Sequence, residues 1–213
     1  MAASMSKTSA AALARRAARI RLVGLDVDGV LTDGRLYFGA RGETFKAFDV
    51  RDGLGIQFLR AAGIGVAIVT GRNSPIVAAR ARDLGIAHVL QGQRDKHASL
   101  QRLLADTDLT AADCAFMGDD WPDLAVLGSV GLATTVADAP EEVRQRVHWV
   151  APSSGGRGAV RDLATLLLRA QGRFDAMLEA ALQPGPFVAA PGADGTVAAP
   201  ARRRTPVRRA ARG

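Results

Sequence analysis

Cysteine is almost absent from this sequence: among 213 residues, Cys114 stands alone. That excludes an intramolecular disulfide and any cysteine-built metal centre, and the apolar run Cys114-Ala115-Phe116-Met117 reads as a buried strand. Aromatic residues are scarce at 5%, and no apolar stretch approaches the ~20 residues that a membrane span needs. Acidic residues are missing from positions 1–21, which carry +5, and nearly missing from 184–213, where six Arg face Asp194 alone. The formal charge of +7 is thus confined to the ends, leaving residues 22–183 at −3 with no basic stripe along any predicted element. Neither nucleic acid nor a membrane is an expected partner, and the cytoplasm is the expected compartment.

What is present is a 48% apolar chain, long enough for one α/β domain with a sizeable core. The expected boundaries are a basic N-terminal extension over 1–19, with a frayed helix from Ala10 to Arg19, then the domain over 20–183. A basic tail, 184–213, is rich in Ala, Pro, Gly and Arg and lacks the apolar side chains that offset ordering entropy, so disorder is expected there.

Within the body, short β-branched apolar runs alternate with segments of helical spacing, the pattern of a mostly parallel sheet covered on both faces. Strands are predicted over Arg21–Leu25, Gly65–Val69, Ala87–Leu90, Ala115–Met117 and Val130–Ala133. Helices are predicted over Gly53–Ala62, Pro75–Leu84, Lys96–Leu104, Pro122–Leu127 and Glu141–Arg146, with one long final helix from Ala159 to Leu182. A hairpin, Arg35–Phe38 and Glu43–Phe48 around a glycine-containing turn, interrupts the alternation just after the first strand.

In such sheets ligands bind beyond the carboxyl ends of the strands. The first strand ends in Asp26-Val27-Asp28-Gly29, two carboxylates two residues apart that share a face and repel unless a cation lies between them; alternatively they merely end a strand and cap a turn. The second ends in Val69-Thr70-Gly71-Arg72, which sets a hydroxyl at the same rim, although Thr-Gly alone is most often a turn. After the third, Lys96 opens a helix, where the macrodipole disfavours a cation unless it reaches an anion at the rim. The fourth ends in Gly118-Asp119-Asp120-Trp121-Pro122-Asp123, a second acidic cluster.

These four motifs, in this order and each directly behind a separate strand, resemble the haloacid dehalogenase superfamily of phosphotransferases across nearly all of 20–182. The resemblance implies a Rossmann-like three-layer α/β sandwich with Asp26 as a nucleophile forming an aspartyl-phosphate and Asp28 as the acid and base. It implies Mg²⁺ held by the Asp26 carboxylate, the Asp28 backbone carbonyl and the Asp119 carboxylate, and Thr70 and Lys96 on the phosphoryl oxygens. Asp120 and Asp123 would orient Lys96 or the metal's waters. Neither inter-motif stretch has room for a cap domain, so a neighbouring subunit, in a homo-oligomer that the resemblance makes a tetramer, is expected to cover the site through the hairpin at Tyr37 and Phe38.

Within the capless group, Asp49-Val50-Arg51-Asp52-Gly53, Gly71-Arg72, Gln91-Gly92-Gln93 and Gly155-Gly156-Arg157-Gly158 resemble the 3-deoxy-D-manno-octulosonate 8-phosphate phosphatase family. That resemblance implies an acidic sugar phosphate as substrate, with Arg51, Arg72 and Arg80 the candidates for its carboxylate, and Arg157 reaching a site on its own or a neighbouring subunit. Asp49, Val50, Asp52, Gly53 and Gln57 would line the same site; Gln57 departs from the family, which commonly has a basic residue there. A phosphatase for a related nonulosonate 9-phosphate is the nearest rival. A non-catalytic receiver-type phosphoacceptor is a rival of another class, disfavoured by Asp28, because a group that promotes turnover defeats storage of the phosphoryl group.

Overall fold

Leu22–Leu25 is apolar on both faces and wholly buried, and it forms the central strand, β1, of a sheet. The computed structural model describes residues 9–182; residues 1–8 of the expected extension and the tail over 184–213 lie outside them. Six parallel strands make the sheet: β1, β4 (Gly65–Val69), β5 (His88–Leu90), β6 (Cys114–Met117), β7 (Leu132–Thr135) and β8 (Trp149–Val150). Their spatial order is β5-β4-β1-β6-β7-β8, so the chain reverses its direction of travel at β1 and opens a crevice beyond the ends of β4, β1 and β6.

Helix α2 (Val50–Ala61) packs on α7 (Ala159–Ala170) over one face, while α4 (Lys96–Asp106) and α5 (Leu124–Leu127) pack together over the other. Helix α3 (Pro75–Asp83) lies beside α2, tied by Arg60 Nη1 donating to the Leu84 carbonyl at 2.8 Å. This is the expected three-layer sandwich. The hairpin is present as β2 (Tyr37–Gly39) and β3 (Gly42–Phe45), shorter than expected, with the Tyr37 and Phe45 rings stacked 4.1 Å apart.

Several boundaries differ from expectation, each for a local reason. Helix α2 begins at Val50 rather than Gly53, because the Asp49 side chain accepts from Arg51 N and caps it three residues earlier. Strand β7 sits two residues later than predicted, and the two-residue β8 was not predicted at all. The Pro122–Leu127 segment is a 3-10 turn, Trp121–Asp123, followed by the one-turn α5, and α6 spans only Glu141–Arg144. The long final helix breaks into α7 and α8 (Phe174–Ala181) at Gly172, where φ is +65°. Helix α1 (Ala10–Ala17) is anchored, not frayed: Ala17 is fully buried, Gln171 Nε2 donates to the Ala17 and Ile20 carbonyls, and Arg16 Nη1 donates to the Gly131 carbonyl at 2.7 Å. Among the described residues, no helix is long and apolar enough to cross a membrane.

One buried acid joins the two helices behind the crevice. Asp52, in the first turn of α2 and 2% exposed, accepts from Gly158 N at 3.1 Å and Arg161 N at 3.0 Å, filling orphan donors at the start of α7. Burial pushes its carboxyl above the ordinary range against the pull of those amides. Asp52→Ala should therefore lower the unfolding free energy by about 1–2 kcal/mol, measured by urea denaturation; an unchanged midpoint would refute the capping role.

Candidate active site

Each rim residue is delivered by the strand that precedes it. Asp26 follows β1 and its N–H donates to the Met117 carbonyl at 3.0 Å, holding the nucleophile candidate against the end of β6. Thr70 follows β4, buried, with its N–H on the Leu90 carbonyl at 2.9 Å; its hydroxyl makes no hydrogen bond among the described residues. Asp119 follows β6. Lys96 opens α4, reaching under the rim with its side chain 7% exposed.

The charges converge on Lys96. Its Nζ lies 2.7 Å from Asp26 Oδ2 and 2.7 Å from Asp123 Oδ1, so the cation that looked misplaced at a helix start is the counter-ion of the rim. Burial alone would lower its pKa, but the two carboxylates outweigh burial and raise it. Both oxygens of Asp123 are engaged, since Oδ2 accepts from Asp119 N at 3.1 Å and Asp120 N at 3.4 Å. Asp120 is exposed and caps the Trp121–Asp123 turn through Trp121 N. Of the two acids, Asp123 is therefore the one in contact with Lys96.

Two carboxylate groups remain underpaired. Asp26 Oδ1 is buried with no hydrogen-bond partner, and burial together with the Asp123 charge pushes the Asp26 pKa up to about 6 despite Lys96. Asp119, half-buried, is pushed up to about 8 by burial, Asp26 and Asp123. Asp119 approaches so closely that a Cβ at Gly29 would collide with its carboxylate. Carboxylate oxygens of Asp26, Asp119 and Asp123 all come within 4.8 Å of one another. With Asp123 engaged, the pair Asp26 and Asp119 forms a hard-oxygen donor set that repels itself in the absence of a cation, and it fits Mg²⁺.

A second network surrounds Asp28. Its Oδ1 accepts from Lys46 Nζ in a short contact, and its Oδ2 lies 3.5 Å from Arg72 Nε. Lys46 Nζ also lies 3.0 Å from Glu43 Oε1, and the Ser74 hydroxyl donates to Glu43 Oε2. Burial would raise the Glu43 pKa, but Ser74, Lys46 and Arg72 together hold it below the usual carboxylate range. Neither Lys46 nor Glu43 was expected from the sequence.

Comparison with known proteins decides the family. A family model described as haloacid dehalogenase-like hydrolase matches residues 75–162. The chain is 46% identical over 161 residues to the 3-deoxy-D-manno-octulosonate 8-phosphate phosphatase of Yersinia pestis, covering 76% of this chain and 86% of that one. The protein belongs to the 3-deoxy-D-manno-octulosonate 8-phosphate phosphatase family of the haloacid dehalogenase superfamily. A crystal structure of the Yersinia pestis phosphatase superposes with a TM-score of 0.75 at 45% identity, covering 76% of this chain and 88% of that one. The Moraxella catarrhalis phosphatase, crystallised with magnesium ion, phosphate ion and a KDO molecule, superposes with a TM-score of 0.78 at 40% identity, covering 80% and 98%.

The remaining family-derived candidates are not all at the rim cluster. Arg72 is, on Asp28, with its guanidinium 5.5 Å from the Phe38 ring centre. Arg51 is exposed, grips Asp49 at 2.7 Å and donates to the Arg157 carbonyl at 2.8 Å, so Arg157 meets it through its backbone. Arg80 pairs with Asp83 at 2.5 Å and lies against Phe48, and its guanidinium occupies the space that a Cβ on Gly53 would need. Val50 is 80% exposed on the first turn of α2, and Gln57 is half-buried on the same helix.

The self-repelling pair makes a pH-dependent prediction. The folded state binds protons on Asp119 and Asp26 more tightly than the unfolded chain, where their ordinary value is 3.8. Metal-free protein should therefore lose stability as pH rises above the unfolded value of 3.8, with the Asp26 share of the loss complete above about 6 and the Asp119 share above about 8. Saturating Mg²⁺ should remove most of that loss, and Asp119→Asn should stabilise the metal-free protein at pH 8 by roughly 1 kcal/mol or more while abolishing the Mg²⁺ effect. Thermal unfolding with and without Mg²⁺ measures both; melting points that Mg²⁺ leaves unmoved at pH 8 would contradict the assignment.

Proposed function

We propose that the protein hydrolyses 3-deoxy-D-manno-octulosonate 8-phosphate to 3-deoxy-D-manno-octulosonate and phosphate, with Asp26 as the nucleophile. The observation that carries this reading is the state of Asp26: one oxygen is fixed by Lys96, the other is buried, unpartnered and set at the topological switch point. In the first step Asp26 Oδ1 attacks phosphorus, the bond from phosphorus to the sugar oxygen breaks, and Asp28 gives its proton to that oxygen. In the second, water attacks phosphorus and passes a proton to Asp28, the bond from phosphorus to Asp26 breaks, and inorganic phosphate leaves. Thr70 and Lys96 offer donors to the equatorial oxygens. Bound Mg²⁺, held by the carboxylates of Asp26 and Asp119 and the Asp28 backbone carbonyl, supplies the charge neutralisation that lets an anionic nucleophile meet an anionic phosphate.

The substrate reading is supported by the 46% identity to a phosphatase named for this acid and by the KDO molecule in the Moraxella catarrhalis structure. Arg72, 42% exposed beside Asp28, is the cation best placed for an acidic sugar. A nonulosonate 9-phosphate is the competing substrate. A homotetramer is proposed as the working assembly, supported by Phe38 and Phe45, which are 61% and 51% exposed on the hairpin. A cytoplasmic location is proposed with it, supported by a sequence with one cysteine, Cys114, and hence no intramolecular disulfide.

Phosphate release from a panel of acidic sugar phosphates, with Mg²⁺ and with chelator, tests the reading. Turnover should need Mg²⁺ and favour the eight-carbon acid, and Asp26→Asn should be folded and at least about 10³-fold slower. Turnover by Asp26→Asn near the wild-type rate would overturn it.

A further inference from the structure

The hairpin holds a buried ion pair that the mechanism above does not use. Lys46 follows β3 directly, its side chain is 1% exposed, and its ammonium bridges Asp28 Oδ1 and Glu43 Oε1. Glu43 lies on β3 itself and is anchored to the main domain through the Ser74 hydroxyl at the start of α3. Arg72 closes the ring from the rim, at 3.5 Å from Asp28 Oδ2 and 3.9 Å from Glu43 Oε1. The carboxylate of Asp28 is thus held from both oxygens, and its tightest partner comes from a two-stranded sheet separate from the main one.

If this lysine served only to fasten the hairpin, the choice would be a poor one. Desolvating an ammonium is expensive, and an apolar side chain of similar volume fastens a hairpin at no such expense. A buried charge aimed at the one carboxylate whose orientation matters for proton transfer is better explained by that orientation, because general acid catalysis requires the proton to lie within hydrogen-bond reach of the leaving oxygen.

We propose that Lys46 is a positioning residue for the reaction: by fixing Asp28 Oδ1, with Glu43 fixing Lys46 in turn, it aims the Asp28 carboxyl at the leaving oxygen. The inference rests on the assignment of Asp28 as the acid. Its consequence depends on the leaving group. An alkoxide such as the sugar oxygen needs a proton as it departs, whereas p-nitrophenolate departs without one.

The test compares kcat/KM, which reports steps through phosphoryl transfer, on 3-deoxy-D-manno-octulosonate 8-phosphate and on p-nitrophenyl phosphate for wild type, Lys46→Met and Asp28→Asn. For Lys46→Met the loss on the sugar phosphate should exceed the loss on the aryl phosphate by about tenfold or more, and Asp28→Asn should show the same inequality more strongly. Equal losses on both substrates for Lys46→Met, or no loss, alongside a leaving-group-dependent Asp28→Asn, would overturn the positioning role and leave the acid assignment standing. Equal losses for Asp28→Asn would overturn the acid assignment, and the inference with it. Should Lys46→Met not fold, Glu43→Gln decides: it keeps the size of the residue that holds Lys46, and it should show the same inequality at smaller amplitude, equal losses again overturning the proposal.

Discussion

One ammonium group faces three carboxylates at the centre of this protein. Lys96 satisfies one oxygen of Asp26 and one of Asp123, and the surplus negative charge is left on Asp26 and Asp119. Left alone, that surplus is a stability defect, because burial and mutual repulsion both disfavour ionised carboxylates. Completed by a divalent cation it becomes a phosphate-binding centre. The defect and the function are the same arrangement, and the fold is organised to hold it in place.

That organisation works from two sides. From the sheet, strand ends carry Asp26, Thr70 and Asp119 to one crevice, and α4 brings Lys96 beneath them. From the periphery, two clamps act at longer range. Asp52 and Arg51 lock the start of α2 to the start of α7, and Gly156 N donates to the Val30 carbonyl at 2.9 Å, steadying the loop that follows Asp28. The hairpin contributes through Lys46 and Glu43, so a feature that looks like an appendage of the sheet reaches Asp28 directly.

Much of the rim was legible in the sequence because its residues follow their strands directly. Asp26, Asp28, Thr70 and Asp119 each follow an apolar run, and the oddity of Lys96 at a helix start is explained by the anions it meets. What was not legible depends on contacts between distant stretches. Lys46 reads as an ordinary solvated lysine until the hairpin folds over Asp28, 18 residues away in sequence. The capping role of Asp52 concerns a helix that begins more than 100 residues later, across a separation of 106 residues. Two residues of β8 are too few for any periodicity, whereas Gly172, a residue free to take positive φ, marks the break before α8 in the sequence itself. The division of labour between Asp120 and Asp123 required knowing which one faces inward.

The destination of the phosphoryl group decides whether Asp26 is the nucleophile. Wild-type protein mixed with Mg²⁺ and substrate, quenched in acid within a turnover and digested, should yield one phosphopeptide. It should contain residues around Asp26, carry a base-labile acyl phosphate on that side chain, and be absent when Mg²⁺ is chelated. Acyl phosphate on another residue, or single-turnover phosphate release with no phosphoenzyme at any quench time, would contradict it.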